Sequence, residues 1–140
     1  IQKALQYCGF SPVLILNGDT FVEFELARVL RETQGSNAVI TSRVKDASRF
    51  GHVISKNNKV IAFTRVTSTM EASISTGAYL VENNLMENVT LQPPFSFETD
   101  FLTSQDVANT FKSFETQGRF IDIGTPEDFT KAQTYLSDLL

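Results

Sequence analysis

The apolar and polar positions of the first 44 residues predict helices and strands in alternation. Residues 13–16 are apolar on both faces, which is typical of a strand buried on both sides of a parallel sheet. A helix is predicted before this run, over residues 1–8, and apolar side chains at helical spacing predict another over residues 26–34. Residues 37–44 have the composition of a second strand. This order predicts a parallel α/β sheet.

The middle of the chain predicts a hairpin and an interrupted strand. Two β-rich runs flank residues 56–59, Lys-Asn-Asn-Lys, and asparagine tolerates the positive φ that a tight hairpin turn requires. A further β-rich run over residues 73–81 contains Thr76 and Gly77. A glycine inside a strand usually marks a bulge or a close approach to the backbone, so we expect one of these at Gly77.

The last third of the chain predicts two strands and a closing helix. Residues 109–124 resemble two strands about a turn at residues 117–118 and indicate a hairpin. A helix is predicted from 126 to about 138, because Thr125 is a favourable cap, proline follows it and two acids occupy the first turn. Because no linker or repeat divides the chain, we predict a single domain, residues 1–140.

Composition narrows the classes of protein and partner. Of 140 residues, 41% are hydrophobic and 20% charged, as in a soluble globular domain. No apolar run approaches the ~20 residues that cross a bilayer, and the formal charge of −4, with scattered Lys and Arg residues, argues against nucleic acid as a partner. The single cysteine, Cys8, cannot form an internal disulfide. We therefore expect a cytoplasmic protein without a membrane or nucleic-acid partner.

Two acidic residues follow apolar runs at expected strand ends. Asn17, Gly18 and Asp19 come directly after the first strand, at the edge where open α/β sheets bind ligands, although the tripeptide is also ordinary turn chemistry. Asp122 repeats the pattern and, taken alone, also fits an edge or turn acid. Mg²⁺ typically takes one or two carboxylates and completes its coordination with phosphate and water. Shared Mg²⁺ binding by Asp19 and Asp122 is therefore a hypothesis.

Four segments of the chain together resemble a known enzyme family. They are LNGDTF, FGHVI followed by a hairpin, STGAYLV and FIDIGTPEDFTKA, and they match the sugar-phosphate nucleotidyltransferases in order and approximate interval. Together with FSFETDFL, they are most similar to the mannose-1-phosphate and heptose-1-phosphate guanylyltransferase branch. The resemblance extends over residues 10–135. It implies an α/β, Rossmann-like fold with a mixed, mostly parallel sheet and β-hairpin insertions.

The resemblance also implies an activity and the residues that carry it. The family transfers a nucleotidyl group from a nucleoside triphosphate to a sugar 1-phosphate and releases pyrophosphate, and this branch transfers GMP. By resemblance Asp19 and Asp122 are the catalytic, Mg²⁺-binding aspartates, and Thr76 with Gly77 approaches the sugar hydroxyls. The residues implied to contact substrate are Asn17, Gly18, Gly51, Thr76 and Gly77.

Two departures from the family pattern affect the expected activity. Where the family commonly has a Glu-Lys pair that holds sugar hydroxyl and phosphate, this chain has Arg65 and Val66. The family also begins with a glycine-rich loop that cradles the triphosphate, and these 140 residues contain no such stretch. We therefore expect an N-terminally truncated domain, the sugar-binding and metal-binding half, which is inactive by itself.

Three functions remain open from the sequence. The chain is part of a nucleotidyltransferase, or a non-catalytic module that binds sugar phosphate, or an oligomerisation module whose sheet edges pair with another copy. A homo-oligomer is expected, because a sheet without its first strands exposes backbone groups and apolar surface. His52, the single histidine, is expected to be an ordinary strand residue, because attack by an ionised phosphate needs no general base.

Overall fold

The computed structural model describes residues 1–65 and 69–139, which form an α/β structure. Its strands are β1 (Val13–Leu16), β2 (Thr20–Val22), β3 (Ala38–Val44), β4 (His52–Lys56), β5 (Lys59–Thr64), β6 (Ala72–Val81), β7 (Lys112–Glu115) and β8 (Phe120–Asp122). Its α-helices are α1 (Gln2–Leu5), α2 (Leu26–Thr33), α3 (Gln105–Ala108) and α4 (Pro126–Tyr135). A π-helical turn, Phe97–Phe101, and a 3₁₀ turn, Ser137–Leu139, complete the described elements.

The larger sheet is mixed, and the expectation that it is mostly parallel is wrong. Its strand order is β1-β6-β3-β7-β5-β4, and β3 with β7 is the one parallel pair among the described residues. The reason is β6, whose ten residues run between β1 and β3 antiparallel to both. Among the described residues β1 is an edge strand and is only partly buried. Its apolar run was therefore not a sign of a strand buried inside a parallel sheet.

The strands β7 and β8 do not form the expected hairpin. β8 leaves the larger sheet and pairs antiparallel with β2 in a separate two-stranded sheet. At the turn between them, the Thr116 backbone N–H donates to the Thr41 carbonyl in β3, and the Thr116 hydroxyl donates to the Glu23 carbonyl beyond β2. The turn therefore connects two sheets, which is a long-range arrangement that the local turn sequence does not indicate.

Several local predictions are confirmed. β4 and β5 form a hairpin in which Asn57 and Asn58 have φ of 51° and 60°. The Thr125 hydroxyl caps α4 by accepting a hydrogen bond from the Asp128 backbone N–H. The opening helix is shorter than predicted and ends at Leu5, its one buried residue. Beyond it, the Tyr7 and Cys8 backbone N–H groups donate to carbonyls three residues back, which is a tighter turn than an α-helix.

The core has two parts, one on each face of the larger sheet. On one face Val39 and Tyr79 belong to a buried cluster with Phe101, which comes from the π-helical turn. On the other face Ile40 packs in a cluster that contains Val29 of α2. Alternate residues of β3 and β6 thus face opposite layers, as strand geometry requires. No helix in the described part of the chain is long and apolar enough to span a membrane.

An ion pair fixes the small sheet at its open end. Arg119, just before β8, donates from its backbone N–H and Nε to Glu23 Oε2, both at 2.9 Å, and from Nη2 to Oε1 at 2.8 Å. The Glu23 backbone N–H in turn donates to the Arg119 carbonyl at 2.8 Å. The hydrogen bonds that the Glu23 carboxylate accepts from the Arg119 side chain and backbone lower the pKa of Glu23 from 4.5 to about 2.

This lowered pKa predicts a specific loss of stability in acid. Because the folded-state pKa of Glu23 lies below its unfolded value, its contribution is present above pH 4.5 and is lost as the pH falls towards 2. We expect Glu23→Gln to lower the urea midpoint at pH 6 and to differ much less from wild type near pH 2. Glu87→Gln, outside these contacts, is the control. A stability difference between Glu23→Gln and wild type that is equal at both pH values would contradict the prediction.

Candidate functional site

A cavity of about 530 Å³ lies where the two sheets meet. Most of the site residues predicted from the sequence line this cavity. They are Asn17, Asp19, Gly51, Thr76, Gly77 and Asp122. Gly18 is not among the lining residues. Chain segments far apart in the sequence thus contribute to one site, and the cavity is large enough for a small phosphorylated ligand.

Pairing of the small sheet brings the two aspartates to this cavity. Thr20 is opposite Asp122 in the β2–β8 pair, and the Ile123 backbone N–H donates to the Asp19 carbonyl at 2.9 Å. The Asp122 carboxylate is partly buried, and its Oδ1 accepts from the Gly124 backbone N–H at 3.0 Å. The Asp19 carboxylate is exposed and accepts no hydrogen bond from the residues described by the structure.

Arg49 is a cavity residue that the sequence reasoning missed. Its guanidinium donates to Asp122 Oδ1 at 3.2 Å and to Asp128 Oδ2 at 2.6 Å, and it lies over the Phe50 ring. Hydrogen bonds from Arg49, Thr125 and Lys131 hold the pKa of Asp128 well below its usual range. Arg49 therefore orients the Asp122 carboxylate. Its position directly before the FGHVI segment is the one sequence feature that could have indicated a role at the site.

Thr76 and Gly77 form the bulge that the interrupted strand predicted. Pairing with β3 shifts between Ile40 and Thr41, and Gly77 has a φ of +76°. The Thr76 hydroxyl donates to the Ile40 carbonyl at 2.8 Å, while the Asn17 backbone N–H donates to the Gly77 carbonyl at 2.9 Å. A Cβ on Gly77 would lie 2.5 Å from Asn17 Nδ2, so Asn17 is the group that approaches this glycine closely.

A further set of cavity residues, which the sequence analysis did not single out, lies on the face of the sheet below the π-helical turn. The Tyr79 hydroxyl bonds to Glu98 Oε1 at 2.8 Å and to Ser75 Oγ at 2.7 Å. Burial and the nearby Glu98 carboxylate raise the pKa of Tyr79 well above its usual value. Glu98 belongs to the FSFETDFL segment, which was noticed for its resemblance but not for its side chains.

The two aspartates fit a single hard cation only if a ligand completes the coordination. No group of three or more His, Cys, Asp or Glu side chains within residues 1–65 and 69–139 is arranged to hold a metal ion. Mg²⁺, however, uses few carboxylates and takes its other oxygen ligands from phosphate and water. Asp19 and Asp122 at one cavity match that donor set. They do not enclose a cation by themselves, so its remaining ligands would come from phosphate and water.

The remaining cavity residues include a histidine and a second arginine. His52 begins β4, and its Nε2 lies 3.1 Å from the Ala47 carbonyl oxygen, so the ring has a partner within its own loop. Arg65 lines the cavity as well. Its neighbour Val66, the other half of the pair that departs from the family pattern, lies outside the described residues.

Comparison with known proteins identifies the family. The pattern of the family described as Nucleotidyl transferase matches residues 1–138. The chain is 34% identical to D-glycero-alpha-D-manno-heptose 1-phosphate guanylyltransferase of Aneurinibacillus thermoaerophilus, over 97% of this chain and 60% of the relative. It is 30% identical to the enzyme of the same name from Campylobacter jejuni, over 92% of this chain and 58% of the relative.

Solved structures show the same relationship in three dimensions. HddC from Yersinia pseudotuberculosis superposes with a TM-score of 0.81 at 29% identity, covering 96% of this chain and 60% of that one. HddC has also been solved in complex with GMP-PN. The chain thus spans about 60% of the length of these relatives. With the family pattern matched over almost all of its residues, the chain belongs to the nucleotidyl transferase family.

Proposed function

We propose that this chain forms the sugar-binding and metal-binding part of a guanylyltransferase that acts on a sugar 1-phosphate. The observation that carries the proposal is the cavity itself, in which Asp19 and Asp122 share one space with Gly51 and Gly77. The guanylyltransferase names of the relatives support the substrate class and the transfer of GMP. The proposal treats residues 1–140 as one domain, located in the cytoplasm in keeping with its single cysteine.

The proposed mechanism relies on positioning and electrostatics. Mg²⁺, when bound, neutralises charge on the phosphates and orients them for in-line transfer. Asp19 and Asp122 would hold it, and Arg49 keeps the Asp122 carboxylate in place through its ion pair at 3.2 Å. The attacking group is the oxygen of an already ionised sugar phosphate, so no general base is required. Arg65, at the same cavity, supplies positive charge.

A second candidate is a module that binds sugar phosphate without turnover. Arg65 favours this function, because an arginine stands at a cavity position where the family commonly has an acidic residue. Self-association remains a prediction as well. It is supported by the edge position of β1 in the described residues and by its Leu16 side chain, which is 58% exposed.

Metal-dependent binding tests the proposal. We expect calorimetry to detect weak binding of mannose 1-phosphate, or of the heptose analogue, that strengthens when Mg²⁺ or Mn²⁺ is added. Asp19→Asn and Asp122→Asn should each remove most of the metal-dependent gain, at least tenfold, because even indirect partners of a metal ion are typically worth about 10- to 100-fold. The matched control is Asp106→Asn, an exposed position on α3 away from the cavity.

The binding results distinguish the two candidate functions from each other and from a chain that binds no sugar phosphate. Binding of the sugar phosphate that does not depend on the metal, and is unchanged in both aspartate variants, would favour the non-catalytic module. No detectable binding under any condition would contradict the proposal altogether.

A further inference from the structure

A chain of hydrogen bonds connects the bulge in β6 to the π-helical turn. The Gly77 backbone N–H donates to Ser75 Oγ at 3.3 Å, Ser75 Oγ lies 2.7 Å from the Tyr79 hydroxyl, and that hydroxyl donates to Glu98 Oε1 at 2.8 Å. An ionised carboxylate only accepts hydrogen bonds, so the single Tyr79 proton points to Glu98. Ser75 must then donate to Tyr79, which leaves its own oxygen to accept from Gly77. Each proton in this series of hydrogen bonds therefore has one position.

This arrangement fixes the position of the Glu98 carboxylate. Tyr79 is 1% exposed and packs edge-on against the Phe97 ring, with ring centroids 5.3 Å apart. Phe97 is stacked on Phe101, and the Ser96 side chain caps the turn that carries Glu98. A side chain on an exposed turn would ordinarily be free to change rotamer. Here a rigid, buried hydroxyl holds one of its two oxygens.

The second oxygen of Glu98 is available to a ligand. Glu98 lines the cavity, and the described residues give Oε2 no hydrogen-bond donor. Thr99 and Thr103, the neighbouring cavity residues on the same segment, are uncharged, and no cation of the described residues forms an ion pair with the Glu98 carboxylate. An acceptor-only group in a cavity is matched by ligand O–H or N–H donors and repels phosphate.

We propose that Glu98 is a specificity-determining residue that accepts hydrogen bonds from ring hydroxyls of the sugar 1-phosphate. The inference rests on the proposed function. It also gives the bound ligand a direction. The phosphate lies towards the metal-binding aspartates and Arg49, and the hydroxyl-bearing ring lies towards Glu98. Tyr79 is a positioning residue, which acts by holding the carboxylate rather than by touching the sugar.

The test compares a ligand that has ring hydroxyls with one that lacks them. Affinities for mannose 1-phosphate and for inorganic phosphate are measured with Mg²⁺ present, using wild type, Glu98→Gln and Tyr79→Phe. We expect Glu98→Gln to weaken mannose 1-phosphate about tenfold, since hydrogen bonds to a charged group are the stronger class, and to leave phosphate binding unchanged or slightly tighter. Tyr79→Phe should weaken the sugar ligand less and leave phosphate unchanged. Glu87→Gln, outside the cavity, is the control.

Deoxy analogues of mannose 1-phosphate add a second test, in which the ligand is changed as well as the protein. Wild type should bind the analogue that lacks the contacted hydroxyl more weakly than mannose 1-phosphate. Glu98→Gln should bind the analogue and mannose 1-phosphate with similar affinity. Equal affinity of wild type and Glu98→Gln for mannose 1-phosphate, with loss only in Asp122→Asn, would overturn the Glu98 inference and leave the proposed function standing. Absence of any sugar-phosphate binding by wild type would overturn both.

Discussion

Gly118→Ala is expected to destabilise the fold by about 2–3 kcal/mol, at the upper end for overpacking a filled site. A Cβ at Gly118 would overlap the Glu23 carbonyl oxygen and lie 2.6 Å from Glu23 Cβ and 2.9 Å from its carbonyl carbon. These atoms cannot shift easily. The Glu23 carbonyl accepts from the Thr116 hydroxyl at 2.5 Å, and its backbone N–H donates to the Arg119 carbonyl. The clash therefore lies where the chain passes between the two sheets.

Urea denaturation at pH 7 measures this loss. Gly9→Ala is the matched control, because a Cβ at Gly9 meets no atom within 4 Å and its φ is not in the left-handed region. We expect the control to lie within about 0.5 kcal/mol of wild type, as for most surface substitutions. Equal stability of Gly118→Ala and Gly9→Ala would mean that the turn between the sheets adapts readily. The observed packing would then contribute little to the position of β8.

No pyrophosphate release from GTP is expected when the 140 residues are assayed by themselves. Transfer requires cations and backbone donors around the leaving pyrophosphate, and removing even one preorganised donor from such a site typically costs about 10²- to 10³-fold in rate. The seven glycines are scattered along the chain, and no stretch of these 140 residues has the composition of a phosphate loop. Several such donors are therefore missing from this chain, and the rate should fall below detection.

The assay uses GTP with mannose or heptose 1-phosphate and Mg²⁺, and the full-length Aneurinibacillus thermoaerophilus relative is the positive control. UTP and dTTP are tested separately, because these 140 residues do not define the base. Turnover by the chain that disappears in Asp19→Asn would show that this part of the protein holds more of the active site than we infer. Turnover that persists in Asp19→Asn would instead indicate a contaminating activity.

Features with a local cause could be predicted from the sequence. Thr125 and the acids after it indicated α4 because capping depends on residues within one turn. Asn57 and Asn58 indicated the hairpin because the turn itself requires positive φ. Gly77 indicated a bulge for the same kind of reason. In each case the conformation is determined by a few consecutive residues.

Features that depend on distant pairing could not be predicted. The direction of β6 beside β1 and the separation of β7 from β8 follow from which strands meet, and composition carries little information about that. Arg49 reaches Asp122 and Asp128 across more than seventy residues of chain. The contact between Tyr79 and Glu98 depends on how the π-helical turn folds over the sheet. An ordinary arginine or glutamate in a loop gives no local sign of such a role.

The bulge in β6 inserts two residues. Because this number is even, it determines which further insertions or deletions the strand can tolerate. Thr41 is opposite Ser75 and Ile40 is opposite Ala78, so one step along β3 matches three steps along β6. Side chains alternate between faces with a period of two, so an even insertion keeps both halves of the strand in phase. Ser75 and Tyr79 therefore stay on the same face. Gaining or losing a single residue here would turn one half of the strand over, whereas a change of two would preserve both layers of the core.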